Sequence, residues 1–211
     1  MTSAKICGLS TPEPLDAAVA GGASHVGLVF FPPSPRHVTL DRAAGLAARV
    51  PDTVARVGVF VDPDDALLDA AVTTGRLQAV QLHKVAPARA AAIRARFHRE
   101  TWAALPVRTR ADLDAARGYA GAVDRLVYDA KTPPGAALPG GMGLRFDWTL
   151  LDGFRHPLPW ALSGGLDPAN VGEAIRRTGA ALVDVSSGVE SAPGIKEAGR
   201  IAAFLKAVAA A

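Results

Sequence analysis

Residues 25–61 read HVGLVFFPPSPRHVTLDRAAGLAARVPDTVARVGVFV, and this stretch decides the fold. A run rich in β-branched and aromatic residues occupies 25–31 and reads as a strand. A proline-rich turn follows, then an Ala-rich segment with helical spacing at 40–49, which Thr39 or Asp41 is available to cap. A second strand-like run closes the stretch at 54–61. Strand, helix and strand in that order form the βα unit from which parallel sheets are built.

The unit repeats in both directions. Toward the N-terminus, KICG at 5–8 is a short strand, followed by a helix over 14–20 that Gly21 and Gly22 stop. Toward the C-terminus, Asp62-Pro63-Asp64 leads into a helix ending near Gly75. Strands are then expected at 79–83, 101–107 and 125–129, with helices at 87–97 and 111–119. The rhythm breaks in the Gly- and Pro-rich segment 131–143, before 146–151. It resumes with a strand at 160–163, the pair Gly164-Gly165, a helix at 168–178, a strand at 182–186, a loop at 187–196 and a last helix to about 208.

Eight βα units of roughly 26 residues are what a closed parallel barrel needs. The expectation is therefore an α/β chain forming one (β/α)8 TIM barrel with eight parallel strands over residues 1–211. An open doubly wound sheet is the competitor. It usually carries G-x-G-x-x-G after its first strand, whereas here that strand runs into Cys7-Gly8-Leu9-Ser10.

Composition narrows the function. The chain is 49% hydrophobic and 20% charged, a globular profile, with a formal net charge of +3. The excess is small and scattered, with no basic stripe interleaved with aromatics, so nucleic acid is not an expected partner. A mild positive balance suits an anionic metabolite. One cysteine rules out an internal disulfide. No window approaches the ~18 apolar residues of a membrane span, and residues 1–7 hold no signal-like apolar stretch. These features read as a cytoplasmic, monomeric enzyme or binding protein that takes a small molecule and does not engage membranes.

In such barrels the C-terminal strand ends carry the chemistry. Those positions hold Cys7, residues 30–36, His83, Asp129, residues 163–165 and residues 184–188. Cys7 reads either as a small buried hydrophobe or as a base whose thiolate a cation stabilises. Lys5 shares its side of the strand, and either favours the thiolate or pairs with a core carboxylate. Asp129 caps a turn, pairs with Lys131, or acts as an acid across the mouth from Cys7. Arg36, stiffened by the prolines of PPSPR, reads as a carboxylate ligand or a solvated loop residue. Gly164, Gly165, Ser186, Ser187 and Gly188 form two small-residue loops suited to a phosphate. Asp184 lies among them and is better matched to a sugar hydroxyl. His83 reads as a rim histidine held by hydrogen bonds. The five histidines are scattered, with no metal-ligand spacing.

Taken in order, KICG (5–8), PPSPR (32–36), VGVFV (57–61), QLH (81–83), YDAK (128–131), FDW (146–148), LSGGLDPANV (162–171) and DVSSGVE (184–190) resemble the phosphoribosylanthranilate isomerase family of tryptophan biosynthesis. The resemblance covers nearly the whole chain. It implies a (β/α)8 barrel performing a metal-free and cofactor-free Amadori rearrangement on a phosphorylated, carboxylate-bearing substrate. By the family's pattern Asp129 is the general acid, Cys7 the general base and Arg36 the ligand of the anthranilate carboxylate. Gly164, Gly165, Ser187 and Gly188 line the phosphate site. Lys84 and Met142 depart from the residues usual at their positions. The sister isomerase of histidine biosynthesis resembles this chemistry but uses an Asp where Cys7 stands. A non-catalytic phosphate-binding barrel is the remaining alternative.

Overall fold

A computed structural model of the chain describes residues 1–133 and 140–211. Part of the Gly- and Pro-rich segment expected at 131–143 therefore lies outside the described residues. Eight parallel strands close into a barrel in sequence order: β1 (Ser3–Cys7), β2 (His25–Phe30), β3 (Ala55–Val61), β4 (Ala79–His83), β5 (Glu100–Val107), β6 (Arg125–Ala130), β7 (Trp160–Leu162) and β8 (Leu182–Val185). The ring closes through β1 against β8, where Lys5 lies opposite Asp184. Helices α1 (Pro12–Ala20), α2 (Leu40–Ala47), α3 (Asp65–Thr74), α4 (Pro87–Phe97), α5 (Arg110–Asp114), α6 (Val171–Thr178) and α7 (Ala198–Ala209) cover the outside. Among the described residues no helix is long and apolar enough to cross a membrane.

Alternation along each strand sorts side chains into two cores. Ile6, Val26, Leu28, Phe60, Leu82 and Leu126 point outward and pack beneath the helices. Inside the ring, Val57, Ala79, Trp102, Val127, Ala161 and Leu182 fill the lower layer, while Cys7, Val29 and Val59 form an apolar patch at the mouth. The large ring of Trp102 is wholly buried, edge-on to His25 at 5.3 Å and covered by the Arg125 guanidinium at 5.2 Å. It is the chief plug of the barrel floor.

Four local departures from the sequence expectation have physical causes. The helix expected at 111–119 is α-helical only to Asp114 and tightens to a 3-10 turn over Ala115–Tyr119, a common ending for a short helix carrying Gly118. Between β6 and β7 no α-helix is seen among the described residues. A 3-10 turn at Trp148–Leu151 and a cluster of Tyr128, Phe154, His156 and Trp160 cover that side, His156 stacking on Trp160 at 4.4 Å. The helix expected at 168 is regular only from Val171; residues 168–170 form a turn leading into it, in which Asp167 accepts hydrogen bonds from the N–H groups of Ala169 and Asn170 as a cap does. Finally, the loop expected at 187–196 contains a short antiparallel hairpin, β9 (Glu190–Ala192) with β10 (Ile195–Lys196).

Because Trp102 is by far the largest side chain of this layer and is wholly buried, Trp102→Ala should lower stability by about 3–5 kcal/mol. Urea unfolding followed by circular dichroism should show a lower midpoint with little change in slope. An unchanged midpoint would mean that the floor collapses around the deletion.

Candidate active site

The C-terminal strand ends converge on one cleft, lined among others by Cys7, Arg36, His83, Asp129, Asp184 and Ser187. The strand pattern explains the convergence. Lys5 and Cys7 alternate inward with Ile6 facing the helices, and on β6 Val127 and Asp129 point inward between Leu126 and Tyr128. Cys7 and Asp129 come from strands that are not neighbours in the ring, so they face the cleft from different sides.

Beneath Cys7 lies a buried ion pair whose carboxylate borders the cleft. The Lys5 ammonium, fully buried, donates to Asp184 Oδ1 at 2.9 Å. Both sequence readings of Lys5 hold in part, since it pairs with a core carboxylate and also borders Cys7. The Lys5 side chain and the Cys7 sulfur crowd the same point above the α-carbon of Gly27, where there is no side chain to separate them. Burial would lower the Lys5 pKa, but the charges of Asp184 and Cys7 outweigh it and hold the ammonium protonated. Burial pushes the Cys7 thiol up; Lys5 pulls against that shift and Asp184 adds to it.

Asp129 does not pair with Lys131, whose ammonium instead reaches Asp112 at 2.7 Å. Its Oδ1 accepts from the N–H of Ala130 at 2.8 Å, and its Oδ2 approaches the α-carbon of Gly140. Burial first, and the Asp184 charge second, push its pKa up to about 7, so a large share of the group carries a proton at neutral pH. His83 is the opposite case. Burial, with Lys5 and Lys84 nearby, lowers its pKa to about 4 and leaves the imidazole neutral. The Gln81 amide donates to His83 Nε2 at 3.1 Å, which fits an unprotonated nitrogen there. Lys84, beside it, has φ +56, a left-handed conformation that favours glycine.

Arg36 is buried and its fork is already engaged. Nε and Nη2 each donate to Glu190 at 2.7 Å, and Nη2 also donates to the Gly141 carbonyl at 3.0 Å. Lys196 reaches the same carboxylate at 2.7 Å and donates to the Ser186 carbonyl at 2.9 Å. Burial works to raise the Glu190 pKa, but Arg36 and Lys196 outweigh it and hold the carboxyl below its usual range. Neither Glu190 nor Lys196 was singled out by sequence. The signal that could have found them is Pro193-Gly194, a turn dipeptide with Glu190 and Lys196 flanking it.

The two small-residue loops meet as expected. Gly165, at φ +62, lies against the Leu144 carbonyl and the Arg145 side chain, too close for any side chain of its own. Its carbonyl accepts from Asn170 at 3.0 Å, fixing the loop to the start of α6. Gly164 sits against the Ala130 backbone, and Gly188 against the Leu166 carbonyl. Ser186 donates from its Oγ to the Cys7 carbonyl at 3.3 Å, tying the loop after β8 to β1. Met142 and Leu144 are exposed apolar side chains on the rim of the same cleft. Among the described residues no three His, Cys, Asp or Glu side chains gather into a metal-binding group.

This geometry has close relatives. The sequence model described as N-(5'phosphoribosyl)anthranilate (PRA) isomerase matches residues 4–207. The N-(5'-phosphoribosyl)anthranilate isomerase of Paramagnetospirillum magneticum is 55% identical, over 96% of this chain and 95% of its own. That of Zymomonas mobilis subsp. pomaceae is also 55% identical, over 97% and 96%. Among solved structures, phosphoribosyl anthranilate isomerase from Thermotoga maritima superposes with a TM-score of 0.89 at 34% identity, each chain covered fully. A phosphoribosyl anthranilate isomerase in complex with reduced 1-(o-carboxyphenylamino)-1-deoxyribulose 5-phosphate matches with a TM-score of 0.87 at 33% identity, again over both full chains. A barrel with this strand order, this cleft and these matches is an isomerase, and the chain belongs to the N-(5'-phosphoribosyl)anthranilate isomerase family.

Proposed function

We propose that the chain, as one catalytic (β/α)8 domain over residues 1–211, isomerises N-(5'-phosphoribosyl)anthranilate to 1-(2-carboxyphenylamino)-1-deoxyribulose 5-phosphate in tryptophan biosynthesis. The observation that carries this reading is a buried carboxyl of pKa about 7, Asp129, in one cleft with Cys7, in a chain of this family.

The reaction is an internal exchange of oxidation level between sugar carbons, driven by proton transfers. Asp129 gives its proton to the ring oxygen as the bond from C1 to that oxygen breaks and the nitrogen lone pair forms an iminium at C1. The Cys7 thiolate then takes the proton from C2, and the electrons of that C–H bond flow to the iminium to give an enolamine. C1 gains a proton, the C2 hydroxyl loses one, and the amino ketone results. Arg36 holds the anthranilate carboxylate. Backbone around Gly164, Gly165, Ser187 and Gly188 takes the phosphate, where N–H donors suit an anion. Asp184 and His83 serve the sugar hydroxyls.

A protonated acid and an ionised thiol are required together. With Asp129 at about 7 and the Cys7 thiol raised, that combination is a minority of the population at neutral pH. The neighbouring Lys5 ammonium favours it by stabilising the thiolate.

Turnover is measured by loss of anthranilate-type fluorescence from freshly made substrate with no metal added. Cys7→Ala and Asp129→Ala should each lower kcat by about 10²–10⁴-fold, the usual worth of a general base or acid. Absence of turnover in the unaltered enzyme refutes the isomerase reading, and retained activity in either variant refutes that residue's role.

Asp129 also makes a stability prediction. Its folded pKa lies above the ordinary carboxylate value, so its stabilising contribution is fully present below about pH 4 and is lost as pH rises through about 7. Asp129→Asn removes the titration. The variant should therefore gain stability relative to the parent between pH 4 and 7, by at most about 1.4 kcal/mol per pH unit. Parallel unfolding curves would contradict the raised pKa.

A further inference from the structure

The β9–β10 hairpin has no part in closing the barrel, yet it holds the two charged residues that engage Arg36. Glu190 and Lys196 are a registered cross-strand pair on it, and both are buried. The hairpin turn is seated on the proline-stiffened loop that carries Arg36. Gly194, at φ +83, brings its α-carbon so near the Pro35 carbonyl that a methyl group there would sit 2.5 Å from the oxygen. Loop and hairpin therefore meet twice, once through backbone at Gly194 and once through the Arg36–Glu190 fork.

The fork has a consequence for binding. A guanidinium offers five N–H donors. Nε and one N–H of Nη2 go to Glu190, and Nη2 also serves the Gly141 carbonyl. Nη1 has no hydrogen-bond partner among the described residues, and the side chain lines the cleft. Lys196 approaches Glu190 Oε1 from the other side and is itself tied to Ser186, so the carboxylate is held at both ends. Two cations around one carboxylate leave this buried cluster with a net positive charge, which attracts an anion.

We propose that Glu190, backed by Lys196 on the β9–β10 hairpin, is a positioning residue that fixes the Arg36 guanidinium so that Nη1 is presented to the carboxylate of the bound substrate. The inference rests on the reading of Arg36 as the carboxylate ligand. It assigns the hairpin a role in choosing substrates that carry an ortho carboxylate. Pre-fixing the guanidinium removes rotamer freedom that binding would otherwise have to remove.

The test compares two ligands on the full-length enzyme by calorimetry. One is reduced 1-(o-carboxyphenylamino)-1-deoxyribulose 5-phosphate; the other is the same compound made from aniline, without the carboxylate. Glu190→Gln should weaken the carboxylated ligand on the order of tenfold, the worth of a charge-assisted hydrogen bond, and leave the aniline compound within about twofold. Equal weakening of both ligands, or of neither, overturns the proposal. Should Glu190→Gln fail to fold, Gly194→Ala makes the same comparison without altering a charge, by pushing the hairpin off Pro35, and the same selective loss is expected. If the unaltered enzyme binds neither ligand, the reading of the whole site fails. If it prefers the carboxylated ligand and Glu190→Gln and Gly194→Ala keep that preference, only the positioning role falls.

Discussion

The buried ion pair between Lys5 and Asp184 is the interaction on which the rest of this site depends. It spans the seam where β1 meets β8, so it closes the barrel and sits beneath the mouth at the same time. Two charges withdrawn from water cost several kcal/mol each unless well paired, and such pairs are weak evidence for stability alone. Here the fields of the pair act on the groups above it. Lys5 favours the ionised form of Cys7, while Asp184 disfavours ionisation of Asp129. One dipole inside the barrel thus favours the ionised form of one neighbour and the protonated form of another, the division of labour that the proposed proton shuttle requires.

A second charged cluster, Arg36 with Glu190 and Lys196, repeats this logic at the rim. The two clusters are joined by backbone. Lys196 donates to the Ser186 carbonyl and hydroxyl, and Ser186 in turn donates to the carbonyl of Cys7. The strand that carries Cys7 and the hairpin that engages Arg36 are therefore linked through Ser186. The small-residue loops after β7 and β8 meet where Gly188 packs against the Leu166 carbonyl, at the rim of the same cleft.

The parts legible in the sequence were those governed by local periodicity. Alternation along a strand was enough to put Lys5 and Cys7 on one face, and the run 126–129 to bring Asp129 to a strand end. The sites hidden from it were made by distant partners. Arg36 and Glu190 are 154 positions apart, and nothing in PPSPR announces that a carboxylate will meet its fork. The regular helix begins at Val171, three residues later than the spacing predicts, behind a turn in which Asp167 and Asn170 exchange side-chain-to-backbone hydrogen bonds. The covering of β6 by Tyr128, Phe154, His156 and Trp160 was equally out of reach, since their side chains meet only after the strands have paired.

In the proposed mechanism the buried pair favours the Cys7 thiolate against burial, and the single cysteine of the chain makes that measurable. The rate of Cys7 alkylation by iodoacetamide is followed against pH in the parent and in Lys5→Met/Asp184→Asn, which removes both charges together and strands neither. The Lys5 effect on the thiol exceeds that of Asp184, so the alkylation midpoint should move to higher pH in the double variant. A midpoint that stays in place or moves to lower pH would contradict the account.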